Sequence, residues 1–164
     1  MGSQHSMDIV VQFNKQELFN AVDQSKKEAL NRYDLKDAGI EIELSEDDIK
    51  IVADSEMHLE AVFGIIVKKM AGRGLSHKIL DRQKVEEAGG MRLRQHIKLV
   101  KALDQENAKE ISKKIRDAFP KAKPLIQGDV VRVSSPSIDE LQTIIAFLHK
   151  DETIKVPLQF TNYR

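Results

Sequence analysis

Apolar and polar residues follow one another along this chain with two different periods, which predicts a mixture of helices and strands. Apolar residues at helical spacing predict four helices, the first of which extends to about Leu35. Each helix follows a residue that can cap it, namely Asn14, Ser55, Asp104 and Ser137. Alternation with a period of two predicts strands between the helices and at both ends, among them Met7–Phe13, Met91–Lys101 and Val156–Thr161.

The order of these elements occurs twice along the chain. The hairpin strand Asp48–Val52 aligns with Asp129–Val133, and the apolar positions of the helix after each strand then align with one residue added. Each copy has the order strand–helix–hairpin–helix–strand, which is the ferredoxin-like βαββαβ pattern. The sequence therefore predicts an α+β fold of two ferredoxin-like α/β sandwich modules produced by duplication. The alternative is that any two α/β segments alternate in a similar way without a common origin.

Composition excludes several classes of protein. The chain has no Cys, which rules out disulfides, cysteine-based zinc sites and thiol nucleophiles. Its longest apolar stretch, Ala61–Val67, is far too short to span a bilayer, and there is no secretory signal. We therefore expect a cytoplasmic protein with no membrane partner. The opening residues Met1–His5 are expected to be a disordered leader outside the fold.

The motifs of common catalytic and metal sites are also missing from the sequence. There is no Gly-x-x-x-x-Gly-Lys-Ser/Thr phosphate loop, no Gly-x-Ser-x-Gly nucleophile motif and no His-Glu-x-x-His metal motif. The acidic residues Glu46, Asp47, Asp48 and Asp54 lie in and beside a predicted hairpin turn, where such residues need no metal ion. We therefore predict a protein that is not an enzyme and that uses no metal and no cofactor.

Positive charge is concentrated on one predicted strand, although the formal net charge of the chain is zero. Every second residue of that strand is basic, in the row Arg92, Arg94, His96 and Lys98. Residues at this spacing lie on one face of a strand, and guanidinium and ammonium groups suit phosphate oxygens. This row, together with Arg132, supplies the predicted nucleotide-binding candidates. The alternative is a solvated strand face whose arginines pair with Glu41, Glu43 or other carboxylates.

Six short segments add a signal that does not depend on charge or periodicity. The most specific are Ile-Gln-Gly-Asp, which begins the segment Ile126–Val133, and Leu-Gln-Phe-x-Asn, which lies within the segment Pro157–Tyr163. The others are Ser6–Val10, Asn20–Asp23, Arg32–Asp34 and Asp139–Gln142. Through these segments the chain resembles the bacterial YajQ family from about Ser6 to its end.

The resemblance implies two ferredoxin-like domains that exchange their first strands. On this pattern the N-terminal module comprises residues 14–101, and residues 102–164 form a C-terminal module that is completed by the strand 7–13. The resemblance also implies nucleotide binding, with cyclic di-GMP as the ligand of some members. It implies no enzymatic activity and supplies no binding motif, so the candidate residues rest on charge and geometry.

Two functions remain as alternatives at this stage. The first is a non-catalytic nucleotide-binding protein, with a cyclic di-GMP effector as its narrower form, that holds phosphates on the basic strand face. The second is a protein-interaction adaptor that acts on transcription or RNA machinery. RNA itself is a weaker candidate partner, because only 5% of the residues are aromatic and base stacking on a sheet needs aromatic side chains.

Overall fold

The computed structural model describes residues 4–164, which form four α-helices and nine β-strands in two antiparallel sheets. The helices are α1 (Lys15–Asn31), α2 (Glu56–Gly72), α3 (Gln105–Ala118) and α4 (Ile138–Lys150). The strands are β1 (His5–Val11), β2 (Glu41–Leu44), β3 (Asp48–Ala53), β4 (Leu80–Arg82), β5 (Glu86–Glu87), β6 (Leu93–Leu99), β7 (Lys123–Gln127), β8 (Val130–Ser135) and β9 (Leu158–Thr161). The predicted α+β fold of two modules is confirmed.

One of two compact units comprises Phe13–Val100. Its sheet has the strand order β2-β3-β6-β4, and the short strand β5 also pairs with β6. Helices α1 and α2 cover one face of this sheet, where Ile49, Ile51 and Ile97 are fully buried in the apolar core. The alternate residues of the same strands form the other face, which no helix of this unit covers.

The second unit comprises the described residues up to Gln12 together with Lys101–Arg164. Its sheet has the order β7-β8-β1-β9, so the first strand of the chain lies between two strands from its C-terminal part. β1 pairs antiparallel with both neighbours. Met7 and Ile9 on β1 are fully buried, as is Val131 on β8, so β1 contributes to the centre of this unit's core.

All four predicted helix starts are confirmed by hydrogen bonds at the N-cap. Each capping oxygen accepts a hydrogen bond from the backbone N–H three residues later, which pairs Asn14 with Glu17, Ser55 with His58, Asp104 with Asn107 and Ser137 with Glu140. These bonds satisfy N–H groups that have no partner inside the helix. The local pattern of capping residue and apolar spacing therefore located the helices correctly.

Several predicted ends are wrong. The strand predicted at Met7–Phe13 ends at Val11, and the strand predicted at Val156–Thr161 begins at Leu158. α1 ends at Asn31 rather than near Leu35, because Arg32 adopts an extended conformation and caps the helix with its N–H. The predicted leader Met1–His5 is too long, because β1 already begins at His5. Gln4 precedes β1 and is described, whereas Met1–Ser3 lie outside the described residues.

The strand predicted at Met91–Lys101 is also too long, since β6 spans only Leu93–Leu99. Gly89, Gly90 and Met91 all have positive φ and form the turn that precedes it. Three successive residues in this region of backbone space cannot continue a strand, and the turn leaves Met91 almost fully exposed.

Candidate functional site

β6 presents two chemically different faces. Ile97 is fully buried in the helix-side core, and Leu93 and Leu99 pack against that core. The basic residues at the alternate positions, on the face away from the helices, are Arg94, His96 and Lys98. Arg92 directly precedes the strand. The predicted alternation of β6 is therefore present from Leu93 onward.

Strand register brings further charged residues beside this row. Asp48 and Asp81 lie opposite Lys98, Glu86 lies opposite Arg94, and Lys50 lies opposite His96. We call the whole set the charged face, and it consists of Glu41, Glu43, Asp48, Lys50, Asp81, Glu86, Arg92, Arg94, His96 and Lys98. Of these residues, four are permanent cations and five are carboxylates. The face therefore carries mixed charge rather than a purely basic surface.

Both arginines of the row are paired with carboxylates. Arg92 Nη2 lies 3.2 Å from Glu41 Oε2 and also donates to the carbonyl oxygen of Gly39. Arg94 Nη2 lies 3.4 Å from Glu86 Oε2. All four side chains are partly exposed, so water screens these pairs. The alternative predicted from the sequence, in which arginines of this strand pair with carboxylates, describes both residues.

His96 and Lys98 differ in their surroundings. His96 Nδ1 lies 2.6 Å from Asp48 Oδ2, and Asp48 also accepts a hydrogen bond of 2.7 Å from the Ser45 hydroxyl. The Ser45 bond is the largest of the causes that hold the pKa of Asp48 below its usual value, and the His96 bond adds to it. Lys98 is exposed and makes no ion pair with any residue among 4–164. It is the cation of the row that is most available to a ligand.

Arg132, the fifth candidate, lies on β8 in the other unit. Its Nε donates to Asp8 Oδ1 over 2.9 Å and its Nη2 to Asp8 Oδ2 over 3.4 Å. Asp8 lies on β1, is only 8% exposed, and also accepts a hydrogen bond of 2.8 Å from Asn162 Nδ2. The Arg132 bond is the main cause that lowers the pKa of Asp8, and the Asn162 bond lowers it further. This geometry ties β1 to its neighbours.

Asp8 and Asn162 were not predicted as important residues. A charged residue between apolar positions of a central strand is the signal that could have indicated Asp8, because a buried carboxylate needs a cationic or hydrogen-bonding partner. Asn162 has a positive φ of 56°, which is uncommon outside glycine and holds its side chain toward Asp8. Sequence spacing alone gives no indication that these two residues meet.

Within residues 4–164, no three His, Asp or Glu side chains are grouped as a metal ion would require. None of the helices formed by these residues has the length and apolar character needed to cross a bilayer.

These features define a two-unit α+β protein in which a row of basic residues and their carboxylate partners lie on the open face of one sheet. The chain belongs to the family described as nucleotide-binding protein YajQ-like, whose model matches residues 5–164. The family predicted from the sequence segments is therefore confirmed.

Similar proteins from several bacteria match over their full length. A protein of Trichodesmium erythraeum is 52% identical over 164 residues, one of Chloroflexus aggregans is 52% identical over 165 residues, and one of Synechococcus elongatus is 50% identical over 164 residues. Each comparison covers 100% of this chain and 100% of the relative. All three relatives are named nucleotide-binding proteins.

Proposed function

We propose that this protein binds a nucleotide without catalysis and that the phosphates contact Arg92, Arg94, His96 and Lys98 on the charged face. The names of its relatives support nucleotide binding. One observation supports this location for the site. Every second residue from Arg92 to Lys98 is basic, and Lys98 has no ion-pair partner among residues 4–164. Alternate residues of a strand are about 7 Å apart, so the row offers several contacts to a ligand with more than one phosphate. A cyclic dinucleotide such as cyclic di-GMP is the narrower form of the proposal.

The existing ion pairs do not prevent such binding. Exposed ion pairs contribute about 0–1 kcal/mol each, because water screens them and the side chains lose freedom. A hydrogen bond between a cationic side chain and a phosphate oxygen contributes about 1.5–3 kcal/mol. A phosphate can therefore replace Glu86 as the partner of Arg94, while the remaining carboxylates repel it and limit the affinity. Since these interactions are screened by salt, binding is expected to weaken as ionic strength rises.

Arg132 is the least available of the candidates, because its guanidinium is held by the nearly buried Asp8. If Arg132 moved away to bind a ligand, the nearly buried carboxylate of Asp8 would lose its main partner. The free-energy cost of this change is greater than that of opening an ion pair on the surface. We therefore propose a structural role for Arg132.

Calorimetric titration with cyclic di-GMP, GTP and ATP tests the proposal. Arg94→Ala and Lys98→Ala are each expected to weaken binding about tenfold, which corresponds to about 1.4 kcal/mol. Glu86→Gln is expected to tighten binding, because it removes the carboxylate that competes for Arg94. Arg116→Ala on the exposed surface of α3 is the matched control and is expected to leave affinity unchanged.

The possible results test nucleotide binding and the location of the binding site separately. No heat with any of the three nucleotides at low salt would overturn the nucleotide proposal. Binding that survives both Arg94→Ala and Lys98→Ala would overturn the location while leaving nucleotide binding in place. Hydrolysis of GTP or ATP by the wild-type protein, measured by chromatography of the products, would overturn the non-catalytic part.

A further inference from the structure

β2 forms an open edge of the sheet in the Phe13–Val100 unit. It stands at the end of the strand order and, among residues 4–164, pairs only with β3. The N–H of Ser45 donates to the carbonyl oxygen of Asp48 over 2.8 Å, so these two residues form a hydrogen-bonded pair. Because such pairs alternate along an antiparallel ladder, the N–H and C=O groups of Ile42 and Leu44 point away from β3. The open edge therefore presents free backbone donors and acceptors.

Two pockets with mostly apolar walls lie beside this edge, near β2 and α1, and each also has one lysine in its lining, Lys26 in one and Lys15 in the other. One has a volume of about 240 Å³ and lies where Ala29 and Leu30 face Ile40 and Ile42. The other has a volume of about 290 Å³ and lies at the opposite end of β2, where Phe19 is one of its walls. Leu30 is 65% exposed and Phe19 is 56% exposed, so each pocket has a large apolar side chain that is open to solvent.

A free strand edge with apolar pockets alongside it is the arrangement used for strand addition. In that mode the main chain of an extended peptide pairs with the edge, and its alternate side chains enter the pockets. The other side chains of the added strand would then lie on the opposite face, next to Glu41 and Glu43. These two carboxylates are 50% and 61% exposed, and within residues 4–164 each has one cationic partner, Arg92 for Glu41 and Lys50 for Glu43. A carboxylate can accept further hydrogen bonds.

We propose that β2 binds, by strand addition, an extended segment of another protein in which apolar residues alternate with Lys or Arg. The apolar residues occupy the pockets beside α1, and the basic residues pair with Glu41 and Glu43. A second copy of this chain is a poorer occupant. Antiparallel pairing of β2 with itself sets the glutamates of one copy opposite those of the other, and like charges directly opposite each other destabilise a sheet.

A fluorescein-labelled peptide of four Lys-Val repeats, blocked at both ends, is the probe for this surface. It is expected to bind at least tenfold more tightly than the matched peptide of four Glu-Val repeats, as measured by fluorescence anisotropy. Hydrogen exchange followed by NMR is expected to show slower exchange of the Ile42 and Leu44 amides in the presence of the Lys-Val peptide. Binding without protection of these two amides would overturn the proposal, as would the absence of binding at millimolar peptide.

Charge reversal on the strand supplies a variant that leaves the core intact. Glu43→Lys is expected to weaken binding of the Lys-Val peptide about tenfold and to strengthen binding of the Glu-Val peptide. Glu152→Lys, an exposed change in the other unit, is the matched control and is expected to alter neither. Equal effects of the two substitutions would show only a response to net charge and would overturn the proposed site.

Methylation of the peptide backbone tests strand pairing without any change to the protein. In the bound peptide, the N–H groups of every second residue face β2. N-methyl groups on these residues are expected to abolish binding, whereas N-methyl groups on the residues between them are tolerated. Equal tolerance of both sets would overturn strand addition. A dimer of the protein alone in sedimentation velocity, with the Ile42 and Leu44 amides already protected from exchange in the absence of peptide, would instead assign the edge to a second copy and overturn the proposal. Nucleotide titrations without peptide test the charged face separately, because Arg94 and Lys98, the two residues changed there, lie on β6 and not on β2.

Discussion

At the scale of single residues, the charged side chains of the two sheets are held in pairs that differ in exposure. The pairs of Arg92 and Arg94 are open to water, whereas Asp8 is nearly buried and has three hydrogen bonds from Arg132 and Asn162. Coulombic attraction is stronger where water is excluded, and so is the penalty for leaving a charge unpaired. The same type of pair can therefore be exchangeable on one sheet and structural on the other.

Asp8→Asn tests the structural pair. The substitution is expected to lower the free energy of unfolding by about 1–3 kcal/mol at pH 7, because the charge-assisted hydrogen bonds from Arg132 are lost. The pKa of Asp8 is lowered in the folded state, so its stabilising effect is present above its unfolded pKa of about 3.9 and is lost as pH falls through the folded pKa.

Urea unfolding at pH 7 and at several values below pH 4 measures this difference between variant and wild type. The control is Asp23→Asn, which removes only an exposed pair with Lys27 and is expected to change stability little. A variant that matches the wild type at pH 7 would show that the Asp8 pair contributes nothing.

Asp151 at the end of α4 gives a pH-dependent prediction with a numerical pKa. The Lys114 ammonium, 2.6 Å from Asp151 Oδ2, and hydrogen bonds from Thr153 lower the pKa of Asp151 to about 2. Because the folded pKa is below the unfolded value of about 3.9, the stabilising effect is complete above that value and is lost between about pH 4 and pH 2. An NMR titration of the Asp151 carboxyl measures the pKa, and Lys114→Gln is expected to raise it. A titration midpoint near 4 in the wild-type protein would contradict this geometry.

At the scale of elements, glycine has opposite effects on the stability of the fold in a helix and in a turn. Gly64 lies inside α2 with ordinary helical backbone, whereas Gly128 joins β7 to β8 with a φ of +62°. A Cβ atom at either position would meet no heavy atom within 4 Å, so contacts do not decide the effect of a substitution. Backbone conformation decides it instead.

Gly64→Ala is therefore expected to raise the free energy of unfolding by about 0.5–1 kcal/mol, because glycine loses more conformational freedom in a helix than alanine. Gly128→Ala is expected to lower it by about 1–2 kcal/mol, because an L side chain is strained at positive φ. Thermal unfolding of both variants beside the wild type compares the two changes directly. Effects of the same sign would contradict the difference in backbone conformation.

At the scale of the whole molecule, each unit contains a central strand that sequence order alone would place elsewhere. The sheet orders β2-β3-β6-β4 and β7-β8-β1-β9 correspond position by position, with β6 and β1 in the same place. This correspondence supports duplication of a ferredoxin-like module with exchange of first strands, which stays a prediction. Its physical consequence is that the core of the second unit depends on residues from the start of the chain.

Removal of residues 1–12 tests this dependence. A chain that begins at Phe13 is expected to lose the native fold of residues 101–164, because β8 and β9 no longer have the strand between them and the core loses Met7 and Ile9. The Phe13–Val100 unit retains all its strands and is expected to keep its fold. Two-dimensional NMR distinguishes the two regions, and a peptide of residues 5–12 added in trans is expected to restore the lost signals. Native signals from residues 101–164 without the peptide would contradict the prediction.

Much of the fold could be predicted from the sequence because it depends on neighbouring residues. The capping side chains Asn14, Ser55, Asp104 and Ser137 act within one turn of their own helices, and the alternation along β6 repeats every second residue. The ends of elements were less predictable. The turn at Gly89–Met91 depends on backbone angles to which a methionine gives no clue. The family resemblance, rather than periodicity, indicated the exchange of strands.

For the candidate site, the sequence by itself determined which residues are basic and that Arg94, His96 and Lys98 share one strand face. Only the tertiary structure decided which carboxylates they meet, because strand register sets the neighbours of each residue across the sheet. Glu41 pairs with Arg92, which lies 51 positions later and just before β6, and Asp8 meets Asn162 across 154 positions of sequence. Such contacts depend on how all the strands are arranged. The difference between Arg94, whose carboxylate partner a ligand can replace, and Arg132, which stabilises the fold, therefore appears only in the folded chain.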